Sequence, residues 1–344
     1  MSTNLTPEQM EKYLFDLPEQ FRTSLSMDLT HISRYTREYR QVVISGLGGS
    51  AIGGDILRSF AMPRVDIPVI VNRDYDVPKF VNENTLFLAI SYSGNTEETL
   101  SSFHKARDRG ASIICITSGG KLESLAAQNG CGVVKIPVGL VPRAATGHLF
   151  APLALVLEQL GLLSGARLEL EETALALEKL RESLIPAIEP PKNQAREIAR
   201  LIKGKIPVIW GSAGVSETAA MRWKGQINEN AKSLAYFNVF PELNHNEIVG
   251  FEWPPELIAQ MAVIILRDKF ASERINRRIE ITKKIIQDKV GRIIEVQSEG
   301  VGFLARFFSL TYVGDYASYY LALEYGVNPT PVKVIDFLKT ELAK

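Results

Sequence analysis

"TLFLAISYSGNTEETLSSFHKARDRG" (residues 85–110) changes character in its middle. It opens as a continuous apolar run and closes with the charge spacing of a helix. A strand that is apolar throughout must be covered on both faces, which marks a parallel sheet with helices above and below. Between strand and helix sits a packet of hydroxyls: Ser91, Ser93, Thr96 and Thr99, with Gly94 and Asn95 among them. The same order recurs outward. "QVVISGLGGSAIGGDILRSF" (41–60) reads as strand, glycine-rich turn and helix. "IPVIVNRDY" (67–75) is a second strand, "ASIICITSGGKLESLAAQNG" (111–130) a further strand and helix, and "CGVVKIPV" (131–138) a fifth strand. The first 40 or so residues are helical and amphipathic, with Tyr13, Leu14, Phe21, Leu25 and Leu29 as a broken apolar stripe.

From about residue 148 to 203 the pattern is helical, and "FAPLALVLEQLGLL" (150–163) is almost wholly apolar. "EPP" at 189–191 breaks the helical run and sets the predicted domain boundary, with an N-terminal domain at 1–190 and a C-terminal one at 191–344. The grammar then restarts: "KIPVIWGSAG" (205–214) has the form of residues 41–50, and "QMAVIILRD" (260–268) and "GRIIEVQSEG" (291–300) are further strands. The second half reads as a diverged copy of the first, offset by about 165 residues. The predicted fold class is α/β, two domains that each hold a parallel sheet flanked by helices.

The 344 residues carry 39 Lys and Arg against 39 Asp and Glu, so no basic excess points to nucleic acid. The length suits two domains at about 100–200 residues each. No apolar run reaches the ~18 residues a membrane helix needs, and the polar, acidic start lacks the pattern of a secretory signal. Cys115 and Cys131, the two cysteines, have no metal-ligand spacing. A reducing cytoplasm is the expected location.

Ligands of an open parallel sheet bind outside the carboxyl ends of its strands, where both loops lie. In "GLGGSAIGGD" (46–55) the glycines allow close backbone approach, but the spacing fits neither a dinucleotide fingerprint ending on Asp74 nor a P-loop. The hydroxyl loop fits a tetrahedral anion better. A helix starting near Asn95–Glu97 points its unbonded first amides into the loop, its dipole adds partial positive charge, and the Ser and Thr hydroxyls donate. The plainer alternative is a helix cap with solvated hydroxyls.

"SYSGNTEET" (91–99) resembles the phosphate-binding signature of the sugar isomerase (SIS) domain superfamily. With "GLGGSAIGGD", "PRAATG" (142–147), "NENAKS" (228–233), "ELNHNEIVG" (242–250) and "PTPVKVI" (329–335), the chain is similar to that superfamily's phosphoglucose/phosphomannose isomerase branch over most of its length. The resemblance implies two SIS domains, a homodimer, a hexose 6-phosphate substrate, and no metal or organic cofactor. It implies that Ser50, Ser91, Ser93 and Thr96 grip the phosphate beside the Gly48–Gly49 substrate loop, and that Arg143 lies near the reacting carbons. Glu229 would be the base moving a proton between C1 and C2. His245, reaching in from the neighbouring subunit, would open the ring, and Lys333 would touch the substrate near the ring oxygen.

These residue types suit the chemistry. Histidine titrates near neutral pH, a desolvated carboxylate is a competent base, and guanidinium stabilises an enediolate. Glucose 6-phosphate and mannose 6-phosphate differ at C2 alone, so one planar intermediate serves both. The residues also have plainer readings. Helical periodicity puts Glu229 opposite the stripe Ala220, Trp223, Ile227 and Ala231, as a solvated glutamate beside Lys232. His148 follows the Arg143 motif and is a rival ring-opener, and His104 reads as a surface residue. Arg143 and Lys333 fit a salt bridge and a solvated helix position. Two rival functions remain: an SIS isomerase for another sugar phosphate, and a non-catalytic sugar-phosphate sensor.

Overall fold

The computed structural model describes residues 6–342. The chain begins with α1 (Pro7–Phe15) and α2 (Leu17–Leu25), with Pro18 in the first turn of the second, where its missing N–H costs nothing. There follow β1 (Gln41–Ser45), α3 (Gly49–Ala61), β2 (Val69–Asn72), β3 (Thr85–Ser91), α4 (Glu97–Asp108), β4 (Ser112–Thr117), α5 (Gly120–Gln128), β5 (Gly132–Lys135) and α6 (Thr146–Gln159). Next come α7 (Ala166–Leu184) and α8 (Gln194–Ile202), then β6 (Ile206–Ser212), α9 (Val215–Ala231), β7 (Tyr236–Phe240), α10 (Pro255–Ile258), β8 (Met261–Arg267), α11 (Glu273–Ile286), β9 (Arg292–Gln297), α12 (Phe303–Glu324) and α13 (Lys333–Leu342).

The chain divides into two compact units. One comprises Asp16–Glu178 and Gly300–Ala305. Its five strands run in the order β2-β1-β3-β4-β5, all parallel. Every residue of β3 is buried, as its unbroken apolar run requires. Val43, Phe87, Ala89, Phe103 and Cys115 share one core cluster. Burying an aromatic or branched side chain of this kind contributes ~1.5–3 kcal/mol. α6 is buried along nearly its whole length and packs on α2 and α3.

The other unit gathers the described residues up to Phe15, Lys179–Glu299 and those from Arg306 onward. Its sheet has the order β7-β6-β8-β9, again all parallel. The strand order around β6 and β8 repeats that around β1 and β3, as a duplicated unit should. Glycines at matched positions reinforce this. Gly46 and Gly211 each lie tight against the first turn of the next helix, and α3 and α9 both start after a glycine of positive φ, Gly48 at 53° and Gly214 at 98°. β7 was not foreseen from the sequence. It is an edge strand whose first two residues are exposed, and Asn238 interrupts its apolar residues.

α9 packs on α12 at very short range. A Cβ on Gly314 would lie 2.3 Å from the Trp223 indole, and Trp223 Nε1 donates to the Leu310 carbonyl at 2.8 Å. Beside this contact, buried Arg222 pairs with Asp315 at 2.7 Å, Gln226 donates to the other Asp315 oxygen at 2.8 Å, and Asn230 donates to Ser318 at 2.9 Å. The polar side of α9 is therefore buried too.

Candidate active site

The strand order of the first unit reverses direction between β1 and β3: β2 lies outside β1, while β4 and β5 continue beyond β3. That is the switch point at which an open α/β sheet leaves a crevice for ligand. The loops after β1 and β3 are the glycine turn and the hydroxyl packet. A Cβ on Gly46 would meet the Ile90 carbonyl at 3.0 Å and Ser50 Cβ at 3.1 Å, so the two loops are neighbours.

The hydroxyl loop is held in a definite shape. Ser91 is fully buried, and its Oγ lies 2.8 Å from Thr96 Oγ1 and accepts from the Thr96 amide at 3.4 Å. Ser93 is exposed; its Oγ accepts from the Asn95 amide at 3.3 Å. Thr96 is the N-cap of α4, yet its side chain turns back to Ser91 and makes no cap bond. The first amides of α4 consequently face the loop without a side-chain cap, and the helix dipole places positive potential there. Ser50 sits in the first turn of α3, 5% exposed.

Two further segments pack on this floor. A Cβ on Gly94 would be 1.7 Å from the Gly119 carbonyl oxygen, so the β3 loop lies flush on the turn between β4 and α5. Ser118 Oγ donates to the Tyr92 carbonyl at 2.5 Å, and the Lys121 amide donates to Asn95 Oδ1 at 3.2 Å. On the other side a Cβ on Gly49 would be 2.7 Å from the Pro142 carbonyl and 3.3 Å from the Arg143 amide. This contact brings the Pro142–Ala144 turn, with buried Arg143, against the Gly48–Gly49 loop. Gln20 of α2 secures that turn, donating to the Ala144 carbonyl at 2.7 Å and accepting from the Gly147 amide at 3.0 Å. Nothing in the spacing around Gln20 announces this role. His148, one residue past Gly147, is buried, and its Nδ1 has no hydrogen-bond partner among the described residues. Desolvation lowers its pKa to about 4, so the imidazole is neutral at neutral pH.

In the second unit, Glu229 and Lys333 line one cavity of about 660 Å³. Glu229 is half-buried rather than solvated, which corrects the periodicity reading. The apolar stripe identifies one buried face of α9, but Arg222, Gln226 and Asn230 bury a second against α12. Lys333 starts α13 and is exposed. Lys232 lines the same cavity. His245 does not; it ends a short 3-10 turn, Glu242–His245, and is exposed. That region is anchored two residues on, where Glu247 accepts from Trp210 Nε1 at 2.8 Å and from the side-chain Nδ2 of Asn238. His104 is half-buried on α4 with its ring edge-on to Phe103. Among the described residues no group of three or more His, Cys, Asp or Glu is placed to hold a metal ion, and no helix is long and apolar enough to cross a membrane.

The chain is similar to known proteins in sequence and in fold. Residues 37–137 match the SIS domain family, and residues 191–342 match the bacterial phospho-glucose isomerase C-terminal SIS domain. The chain is 46% identical to the bifunctional phosphoglucose/phosphomannose isomerase of Caldicellulosiruptor bescii, over 97% of this chain and 99% of that one. It is 40% identical to the protein of the same name from Aquifex aeolicus, over 91% and 93% of the two chains. The tagatose-6-phosphate ketose/aldose isomerase of Escherichia coli shares the fold, with a TM-score of 0.70 at 13% identity over 93% of this chain and 94% of that one. On these matches the chain belongs to the bifunctional phosphoglucose/phosphomannose isomerase family of SIS-domain proteins.

Proposed function

We propose that the protein catalyses the reversible aldose–ketose isomerisation of glucose 6-phosphate and mannose 6-phosphate to fructose 6-phosphate through a cis-enediolate. The observation that carries this reading is the hydroxyl loop at the β1/β3 switch point, with uncapped α4 amides behind it. It offers a compact anion several neutral donors. Each charge-assisted bond contributes ~1.5–3 kcal/mol, enough in combination to hold a phosphate without a lysine clamp.

In this reading Ser50, Ser91, Ser93 and Thr96 grip the phosphate, and the Gly48–Gly49 backbone lies along the sugar. His245 opens the ring, supplied by a second copy of the chain in a homodimer, and Lys333 acts near the ring oxygen. Glu229 takes the proton from C2 of the open aldose. As the enediolate forms, the C2 hydroxyl proton passes to the C1 oxygen; Glu229 then delivers its proton, which exchanges with solvent in part, to C1, and the deprotonated C2 oxygen becomes the ketone. Arg143 stabilises the enediolate charge. Rotation about C2–C3 presents either face of C2 to the base, which gives both aldoses in the reverse direction. The carrying chemistry is acid–base, and a cytoplasmic location suits such a substrate. The Pro190–Pro191 break is proposed as the boundary between the two repeats.

The test is to supply fructose 6-phosphate to the purified protein with EDTA present and to follow the two aldose products separately. Both products are expected. Glucose 6-phosphate alone would remove the second substrate. Binding without turnover would make the protein a sensor.

A further inference from the structure

We propose that Lys232 is a positioning residue for this reaction, holding the Glu229 turn of α9 and the segment that leads into Lys333 at one fixed spacing. The inference rests on the roles proposed above for Glu229 and Lys333. Lys232 ends α9 in the left-handed region, with φ 55° and ψ 29°, and is the single non-glycine residue of positive φ among those described. Glycine is the residue that adopts this conformation without steric cost, and helix ends commonly use it there. A lysine at such a place is explained by what its side chain does. Its Nζ donates to the carbonyl of Glu229 and, at 3.2 Å, to the carbonyl of Pro329.

Both acceptors matter. The Glu229 carbonyl belongs to the last turn of α9, where helical donors have run out, and a cation at that end also meets the negative pole of the helix dipole. Pro329 stands four residues before Lys333, in a turn braced by the Thr330 amide donating to Asn328 Oδ1 at 2.9 Å. A second latch, Asn228 Nδ2 to the Ser233 carbonyl at 2.7 Å, fixes the chain as it leaves the helix. One ammonium thus bridges the backbone of the proposed base and the approach to the proposed second cation. Glu229, Lys232 and Lys333 line the same cavity. Acid–base geometry is sensitive to shifts of about 1 Å, which can cost ~10²-fold in rate.

The experiment uses the full chain with Lys232→Gly and Lys232→Met, reading kcat, KM and thermal midpoint with and without added ethylammonium. Lys232→Gly keeps the left-handed backbone while deleting the bridge. The expected result is an unchanged midpoint, a KM within about twofold, and a kcat lowered ~10- to 100-fold that ethylammonium partly restores. Lys232→Met, whose side chain occupies the path of the lysine stem, should lose kcat without rescue. Wild-type kcat in Lys232→Gly overturns the inference while leaving the isomerase reading intact. Loss of activity that tracks loss of fold in both variants, with no rescue by the amine, also overturns it. A wild-type protein without turnover removes the functional reading, and this inference with it.

Discussion

Replacing Gly94 with alanine should damage the hydroxyl loop more than any change to a hydroxyl itself. The added Cβ would stand 1.7 Å from the Gly119 carbonyl oxygen and 2.7 Å from its carbon. Relief requires the oxygen contact to open to at least 3.0 Å, a movement of about 1.3 Å between the β3 loop and the β4–α5 turn. Neither side can yield by rotating a side chain, because the facing residue is also glycine, and a Cβ on Gly120 would in turn meet the Ser93 carbonyl at 2.4 Å. Gly94 also has φ +68°, which costs an alanine ~1–2 kcal/mol. Overpacking adds ~1–3 kcal/mol. The same movement pulls on the Leu122 amide to Gly94 carbonyl bond of 2.9 Å and displaces Ser93 and Thr96 from any bound anion. Loss of one charge-assisted bond, ~1.5–3 kcal/mol, raises KM about 10- to 150-fold. The assay is KM for fructose 6-phosphate, inhibition by inorganic phosphate, and the thermal midpoint. Gly130→Ala is the control: φ is +64° there, but the space around it is open. It should lose a little stability and leave KM alone. A Gly94→Ala variant with wild-type KM and midpoint would refute the assignment of this loop as the phosphate socket.

Asp315→Ala should cost about 3–5 kcal/mol in urea unfolding, because it removes one partner of a buried ion pair, whereas replacing both Asp315 and Arg222 by apolar residues of similar size should cost less. Burial raises the Asp315 pKa, against the lowering pull of Arg222 and Gln226. For His148 the folded pKa of about 4 lies below the ordinary 6.5. The unfolded chain therefore takes up a proton first, and this contribution to stability is complete above pH 6.5 and is lost as pH falls toward 4. Its slope is at most ~1.4 kcal/mol per pH unit. Urea midpoints at three pH values in that window should flatten in His148→Gln; an unchanged slope would show that the imidazole is not the group titrating.

The strands that carry the site were legible because burial on both faces forces unbroken apolar runs, as in β3 and β6. The loop between β3 and α4 was legible as a loop, but its sequence fits a helix cap as well as an anion socket, and only the fold shows Thr96 turned back to Ser91 without capping α4. β7 was not, because Asn238 splits Tyr236–Phe240 into two short apolar pairs. The burial of Glu229 was not, because α12 covers α9 through Arg222, Gln226 and Asn230, and polar residues buried against polar residues look like solvent-facing ones in a periodicity reading. Nor could sequence spacing reveal that Gln20 braces the Arg143 turn from well over a hundred residues away, or that Lys232 bends its ammonium back to the Glu229 carbonyl.

The most direct measurement of the central claim is to run the isomerisation of fructose 6-phosphate in D2O with the wild-type protein and Glu229→Gln side by side, reading deuterium at C2 of each aldose product. The account predicts deuterium at C2 in both glucose 6-phosphate and mannose 6-phosphate, and loss of both turnover and exchange in the variant. A Glu229→Gln protein that still turns over and still labels C2 would contradict a Glu229-borne enediolate mechanism.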